Sequence, residues 1–116
     1  MLILQSYDYV LFDGAFGTYY SKKYHSEQPC ELACIEYPER VLEIHQEYIE
    51  AGAMAIKTNT FAANTISLKK DFSSVREIIT QAWKLANQAI ANQKVFVFAD
   101  IGPIFTEDDS IDELYQ

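Results

Sequence analysis

Three short, almost wholly apolar runs, each stopping at polar or glycine-bearing residues, constrain this chain more than any other feature. Tyr9–Phe12 stops at Asp13-Gly14. Met54–Ile56 runs through Lys57 into Thr58-Asn59-Thr60, and Val95–Ala99 ends at Asp100-Ile101-Gly102-Pro103. Apolar residues in succession, without alternation, are the pattern of a strand buried on both faces, which favours a parallel sheet. Asp13 and Thr58 are 45 positions apart, and Thr58 and Asp100 are 42 apart. Such intervals leave room for a crossover helix and a loop, and are far too long for a hairpin.

The intervening helices follow from periodicity. Pro38 suits a first helical turn, where a missing N–H costs nothing. Val41, Ile44, His45, Tyr48 and Ile49 then fall on one face, and Gly52 sits where a C-terminal cap belongs. Ser74 with Glu77 reads as a capping box. Beyond it Val75, Ile78, Ile79, Ala82, Leu85, Ala86, Ala89 and Ile90 hold one face for more than four turns. A shorter helix is expected within residues 64–70, and Glu107-Asp108-Asp109-Ser110 reads as the acidic start of another.

The order is β-α-β-α-β followed by the beginning of α, a right-handed α/β series. An open doubly wound sheet and the front part of an eightfold barrel both fit. A complete barrel needs about 250 residues, whereas this chain has 116. The expectation is therefore a fragment, with residues 1–116 forming one incomplete unit. Its third strand would keep an unpaired edge, so self-association or docking against the rest of a barrel is expected.

Composition narrows the function classes. Nine basic against 17 acidic residues give a net charge of −8, which argues against nucleic acid, whose phosphates need a cationic face. An apolar fraction of 49% is that of a globular domain rather than a disordered tail. No apolar run reaches the roughly 18 residues of a membrane span, and the amino terminus lacks the basic region of a signal peptide. Two cysteines do not make a disulfide framework. A cytoplasmic protein is expected.

In either architecture the functional edge is the carboxyl end of the strands. Asp13 and Asp100 lie there, and a carboxylate inside a rim of backbone N–H groups suits a ligand carrying an ammonium. Thr58, Asn59 and Thr60 offer uncharged donors and acceptors, and Gly14 and Gly17 let a ligand approach the backbone. The blander alternative is that the two aspartates cap loops. Gly14-x-x-Gly17 is neither a dinucleotide fingerprint nor a phosphate loop, lacking the third glycine of one and the Gly-Lys-Ser/Thr of the other. Cys30 and Cys34 fall short of the four ligands of a structural zinc site, with His25 and His45 elsewhere, and read as packed small residues. His45, on an apolar stripe, reads as packed and hydrogen-bonded to a neighbour. Tyr19, Tyr20 and Tyr24 wall a pocket or fill a core.

Leu11-Phe12-Asp13-Gly14-Ala15-Phe16-Gly17-Thr18 resembles the opening motif of homocysteine S-methyltransferase domains. So do Pro38-Glu39-Arg40-Val41 leading into Ile44-His45 and Tyr48–Ala53, Thr58-Asn59-Thr60-Phe61 with Asn64, and Asp100-Ile101-Gly102-Pro103. The four motifs keep the family's order and spacing and cover almost the whole chain. Within the family the likeness is greatest to bacterial bifunctional proteins that join this domain to a methylenetetrahydrofolate reductase.

The resemblance implies a (β/α)8 TIM barrel, of which this chain is the N-terminal β-α-β-α-β portion. It implies transfer of a methyl group to the thiol of homocysteine, giving methionine, with a small-molecule methyl donor; a folate-linked donor is one that the resemblance allows. Zinc, held in the family by three cysteines late in the barrel, would deprotonate the thiol and align it. Asp13 would bind the homocysteine ammonium, Gly14 and Gly17 would keep the pocket floor open, and Thr58, Asn59 and Thr60 would line the rim. This chain departs from the family in having no adjacent cysteine pair, and in carrying Phe16 where a methionine is common. Neither zinc ligands nor catalytic residues are therefore expected within it, and alone it should be inactive. The competing reading is a non-catalytic α/β module for small-ligand binding or oligomerisation. An aldolase-like barrel lacks a suitably set lysine, since Lys57 lies inside a strand and could point at the helices.

Overall fold

The computed structural model describes residues 8–104. In chain order these contain α1 (Phe16–Tyr24), a single 3-10 turn (Cys30–Leu32), α2 (Ala33–Glu36) and α3 (Pro38–Glu50). Next come β1 (Ala55–Lys57), α4 (Thr65–Leu68), α5 (Phe72–Ile90) and β2 (Phe96–Phe98). β1 and β2 pair in parallel, with Ala55, Ile56 and Lys57 opposite Phe96, Val97 and Phe98. The first apolar run contributes one parallel bridge, Phe12 to Ala55, on the other side of β1. Its three contacts are short: Asp13 N donates to Ala55 O at 3.0 Å, and Met54 N and Ala55 N donate to Leu11 O at 2.7 and 3.2 Å. The expected first strand is thus reduced, among the described residues, to its last turn of ladder. The expected helix at residues 107–110 lies outside them.

One face of this sheet is covered and the other is not. Ile56 is fully buried among Ile49, Ala53, Ala86, Ala89 and Val95, where α3 and α5 lie against β1. Val41, Ile44, Ile78, Ala82 and Leu85 continue the core outward to Tyr20 and Cys34. On the opposite face Phe12 and Phe98 sit with ring centroids 5.2 Å apart and remain exposed. Period two along β1 explains the division: neighbouring residues on a strand point to opposite faces.

α3 begins with Pro38 and ends in a Schellman motif. Gly52 N donates to Ile49 O and Ala53 N to Tyr48 O, each at 3.0 Å, and Gly52 takes φ +109°, which costs a glycine little. α5 starts earlier than the capping-box reading placed it. Asp71, not Ser74, is the N-cap, its Oδ1 accepting Ser74 N at 2.8 Å. Six of the eight α5 face residues named from the sequence are buried. Ile79 is exposed on the flank of that face beside Trp83. α1 replaces what the sequence left as an aromatic patch, and buries Tyr20. No helix among the described residues is long and apolar enough to cross a membrane.

Candidate functional site

The carboxyl ends of all three runs meet around one cavity of about 430 Å³. Asp13 through Thr18 form one wall, Lys57 through Phe61 a second, and Cys30, Glu31 and Asp100 complete it. The amino-terminal end of α1 forms part of the first wall. The structure therefore brings together every site residue named from the sequence: Asp13, Gly14, Gly17, Thr58, Asn59 and Thr60.

Asp13 ends the pairing of the first run by substituting its side chain for backbone. Its Oδ2 accepts the N–H of Lys57 at 3.1 Å, the donor that a longer strand would satisfy with a carbonyl. Its Oδ1 accepts from Lys57 Nζ at 2.9 Å. The Asp13 side chain is 1% exposed and that of Lys57 34%. Lys57 therefore does not point at the helices. Ile56 takes that direction, and alternation sends Lys57 to the cavity. A buried carboxylate needs such a partner, because an uncompensated charge there is strongly unfavourable.

The two threonines staple adjoining strand ends. Thr58 Oγ1 and Thr60 Oγ1 are 2.7 Å apart. Thr60 Oγ1 donates to Asp100 O at 2.6 Å, and Asp100 N donates to Thr58 Oγ1 at 3.2 Å. Asn59 turns outward to the cysteines. Its Nδ2 donates to Cys30 O at 2.8 Å, Cys30 Sγ donates to Asn59 Oδ1 at 3.2 Å, and Cys34 Sγ lies 3.8 Å from Asn59 O. These polar groups fix the rim by bonding within the protein. Gly14 makes room for a neighbour: a Cβ there would stand 3.0 Å from Tyr48 Oη, whose hydroxyl donates to Ala15 O at 3.1 Å. At Gly17 a Cβ would meet only Cys30 Sγ, at an ordinary 3.7 Å.

Burial sets the protonation of the surrounding groups. It pushes the Cys34 thiol up to about 12 and raises Cys30 further, with Glu31 adding to the effect, so both are neutral thiols. Asp100 is raised by burial, against the pull of Lys57. His45 is pushed down to about 4 by burial, which the charge of Asp13 opposes. It is fully buried and lies against Phe16, the rings tilted at 56° with centroids 5.2 Å apart. The sequence reading gave it a hydrogen-bonded neighbour. Neither ring nitrogen finds one among the described residues.

Sequence reasoning passed over Lys57 and Glu31 as members of the site. Glu31 is 4% exposed, its Oε2 accepting Ala62 N at 2.9 Å. A glutamate beside two cysteines carries no signal of that contact. Lys57 did carry one, as a charge inside an apolar run immediately before the strand-end polar residues. Among the described residues no three His, Cys, Asp or Glu side chains gather as a metal ion would require.

A family model described as homocysteine S-methyltransferase matches residues 10–116. Among solved structures, the metallated form of the homocysteine methyltransferase MmuM from Escherichia coli is similar, with a TM-score of 0.70 and 23% identity. The match covers 86% of this chain and 40% of that one. The oxidized form of the same enzyme gives 0.67 and 24%, covering 87% and 39%. The likeness is one of fold, and this chain spans about two-fifths of the length of the structures it matches.

Proposed function

The chain belongs to the homocysteine S-methyltransferase family, and we propose that its cavity receives the amino-acid end of homocysteine within a larger methyltransferase. In this reading the described strands and helices are the opening portion of a (β/α)8 barrel. Three observations support that placement: the strands run parallel in sequential order, the helices cover one face, and the uncovered face is aromatic. Whole-barrel closure would bury that face as a packed interior.

One observation carries the functional reading. Asp13, Thr58 and Asp100 come from three separate strand ends, up to 87 positions apart in sequence, and line one cavity at one end of the sheet. Asp13 with Lys57 supplies its charged end, Gly14 and Gly17 its floor, and Thr58, Asn59 and Thr60 a rim held rigid by its own hydrogen bonds. Rigid positioning of a substrate is a large part of what a transferase site contributes.

The methyl-transfer step asks for an activated thiol, since a free thiol is mostly protonated at neutral pH. Zinc is the group that would supply a thiolate. The residues described here do not fit it, as no trio of ligating side chains comes together, so no step is assigned to this chain beyond substrate binding. A small-molecule methyl donor, folate-linked in one form of the proposal, would supply the methyl group. Titration calorimetry of the 116-residue chain with L-homocysteine tests the reading. Saturable binding is expected, without methionine formation when a methyl donor is added. A folded chain that shows no saturable binding would overturn it.

A further inference from the structure

We propose that the apolar groove between α5 and the segment following β2 is the seat of this chain's own residues 105–116, with Ile111, Leu114 and Tyr115 laid against Ile79 and Trp83. The inference does not depend on which ligand the neighbouring cavity takes.

The groove holds about 380 Å³ and lies behind the rim of the ligand cavity, since Thr58, Thr60, Phe61 and Asp100 belong to the walls of both. Its far wall is a second apolar stripe of α5. Ile78, Ala82 and Leu85 are buried on the face that packs with Val41 and Ile44 of α3. Beside them Phe72, Ile79, Trp83 and Ile90 recur at spacings of seven, four and seven residues, which keeps them on one line of a helix. Phe72, Ile79 and Trp83 are exposed among the described residues, and a contiguous apolar patch of this kind marks an interaction surface.

Topology and tether name the occupant. The first run, β1 and β2 lie in sequential order, α3 precedes β1, and α5 joins β1 to β2. Right-handed crossovers put each successive helix on the same face, so one that follows β2 lies beside α5 on the side away from α3. That side is the groove. The chain has already reached it: Gly102 N donates to Phe61 O at 2.9 Å, and Ile104, 6% exposed, lines the groove. In residues 105–116, Glu107-Asp108-Asp109 suit a helical start. Ile111, Leu114 and Tyr115 then fall at i, i+3 and i+4, with Glu113 on the opposite face of such a helix. Ten helical residues span about 15 Å, enough to pass both Ile79 and Trp83, which are about 6 Å apart along α5. A segment tethered beside its seat also outcompetes a second copy, because its effective concentration is of millimolar order.

Trp83 is the chain's single tryptophan, so its fluorescence reports the groove directly. The test compares the 116-residue chain with the double variant Ile111→Asp/Leu114→Asp and with Glu113→Gln as the control, each checked for folding by circular dichroism. The double variant is expected to shift Trp83 emission to the red and to make it more easily quenched by acrylamide. Glu113→Gln should match the parent, and the parent's emission should not change on dilution. If the double variant fails to fold, Ile111→Ala and Leu114→Ala are read singly, each expected to give part of the red shift. Emission and quenching that are the same in the parent and the Ile111 and Leu114 variants would overturn the inference. It would also be overturned by a parent whose Trp83 becomes exposed on dilution while sedimentation shows a dimer dissociating, which would assign the groove to a second copy.

Discussion

Gly102 N donates to Phe61 O at 2.9 Å, and the approach is so close that a Cβ on Gly102 would stand 2.4 Å from that oxygen. The same Cβ would meet the Phe61 ring at 2.9 Å. The ring is exposed and can turn aside, but the carbonyl belongs to the rim backbone and cannot. Gly102→Ala should therefore part the second and third strand ends, costing about 1–3 kcal/mol as overpacked sites do. Urea denaturation followed by circular dichroism would show it as a lower midpoint. Gly17→Ala is the control, since its Cβ meets Cys30 Sγ at 3.7 Å within α1. Its midpoint should match or exceed the parent's, because alanine is the better helix former.

The thiols should be sluggish. Cys34 is fully buried and pushed up to about 12, and Cys30 is raised by burial and by Glu31. Iodoacetamide reacts with thiolate, so alkylation of both at pH 8 should run at least about tenfold slower in the native chain than in urea. Mass spectrometry of tryptic peptides would measure each rate. Rapid native labelling of Cys34 would contradict the packing against Asn59.

Asp71 should prove a stronger cap than Ser74. The Asp71 carboxylate accepts Ser74 N, and that hydrogen bond, with its charge at a helix amino end, holds its pKa below the usual carboxylate range. Asp71→Ala should lower the thermal midpoint more than Ser74→Ala does. With the folded pKa depressed, the cap's contribution is present above the unfolded pKa and fades as pH falls through the folded one. The gap between the two variants should therefore narrow in acid.

The cap shows where sequence reading ran short. Ser74 with Glu77 satisfies the capping pattern, yet Asp71, with Ser74 and not Glu or Gln three residues on, is the residue that caps, and Phe72 in the first turn is exposed rather than part of the apolar face that marked the start. The three strands were legible as apolar runs at crossover spacing, although among the described residues only one face of the sheet is covered and Phe12 and Phe98 stay exposed; α5 was legible because its face repeats for four turns. α1 was not, since Gly17, Thr18 and two adjacent tyrosines obscure its period and only Tyr20 is buried. Lys57 and the Cys30 and Glu31 of the 3-10 turn were not legible as members of the cavity, whereas Asp13, Thr58, Asn59, Thr60 and Asp100 were legible as strand ends. Their hydrogen bonds were not: Asn59 is fixed by cysteines 29 and 25 positions away. The direction of Lys57 depends on Ile56 facing α3 and α5, which three residues of strand cannot announce.

His45 should make the fold acid-sensitive. Its folded pKa, about 4, lies below the 6.5 of an ordinary histidine, because burial among apolar neighbours disfavours the imidazolium. Between those values the unfolded chain binds a proton that the folded chain does not, so stability falls as pH falls. The stability is intact above about 6.5, declines by roughly 1 kcal/mol per pH unit below it, and levels off below about 4. Replacing His45 with Leu removes this slope. It also removes two ring nitrogens that have no hydrogen-bond partner among the described residues, so the variant should be no less stable than the parent at pH 8. Urea midpoints of both proteins at pH 8, 6 and 5 give the comparison. The carboxylates titrate in both proteins and cancel in the difference. The His45→Leu advantage should widen at each step down, and a difference that stays constant across the range would show that His45 is protonated in the fold.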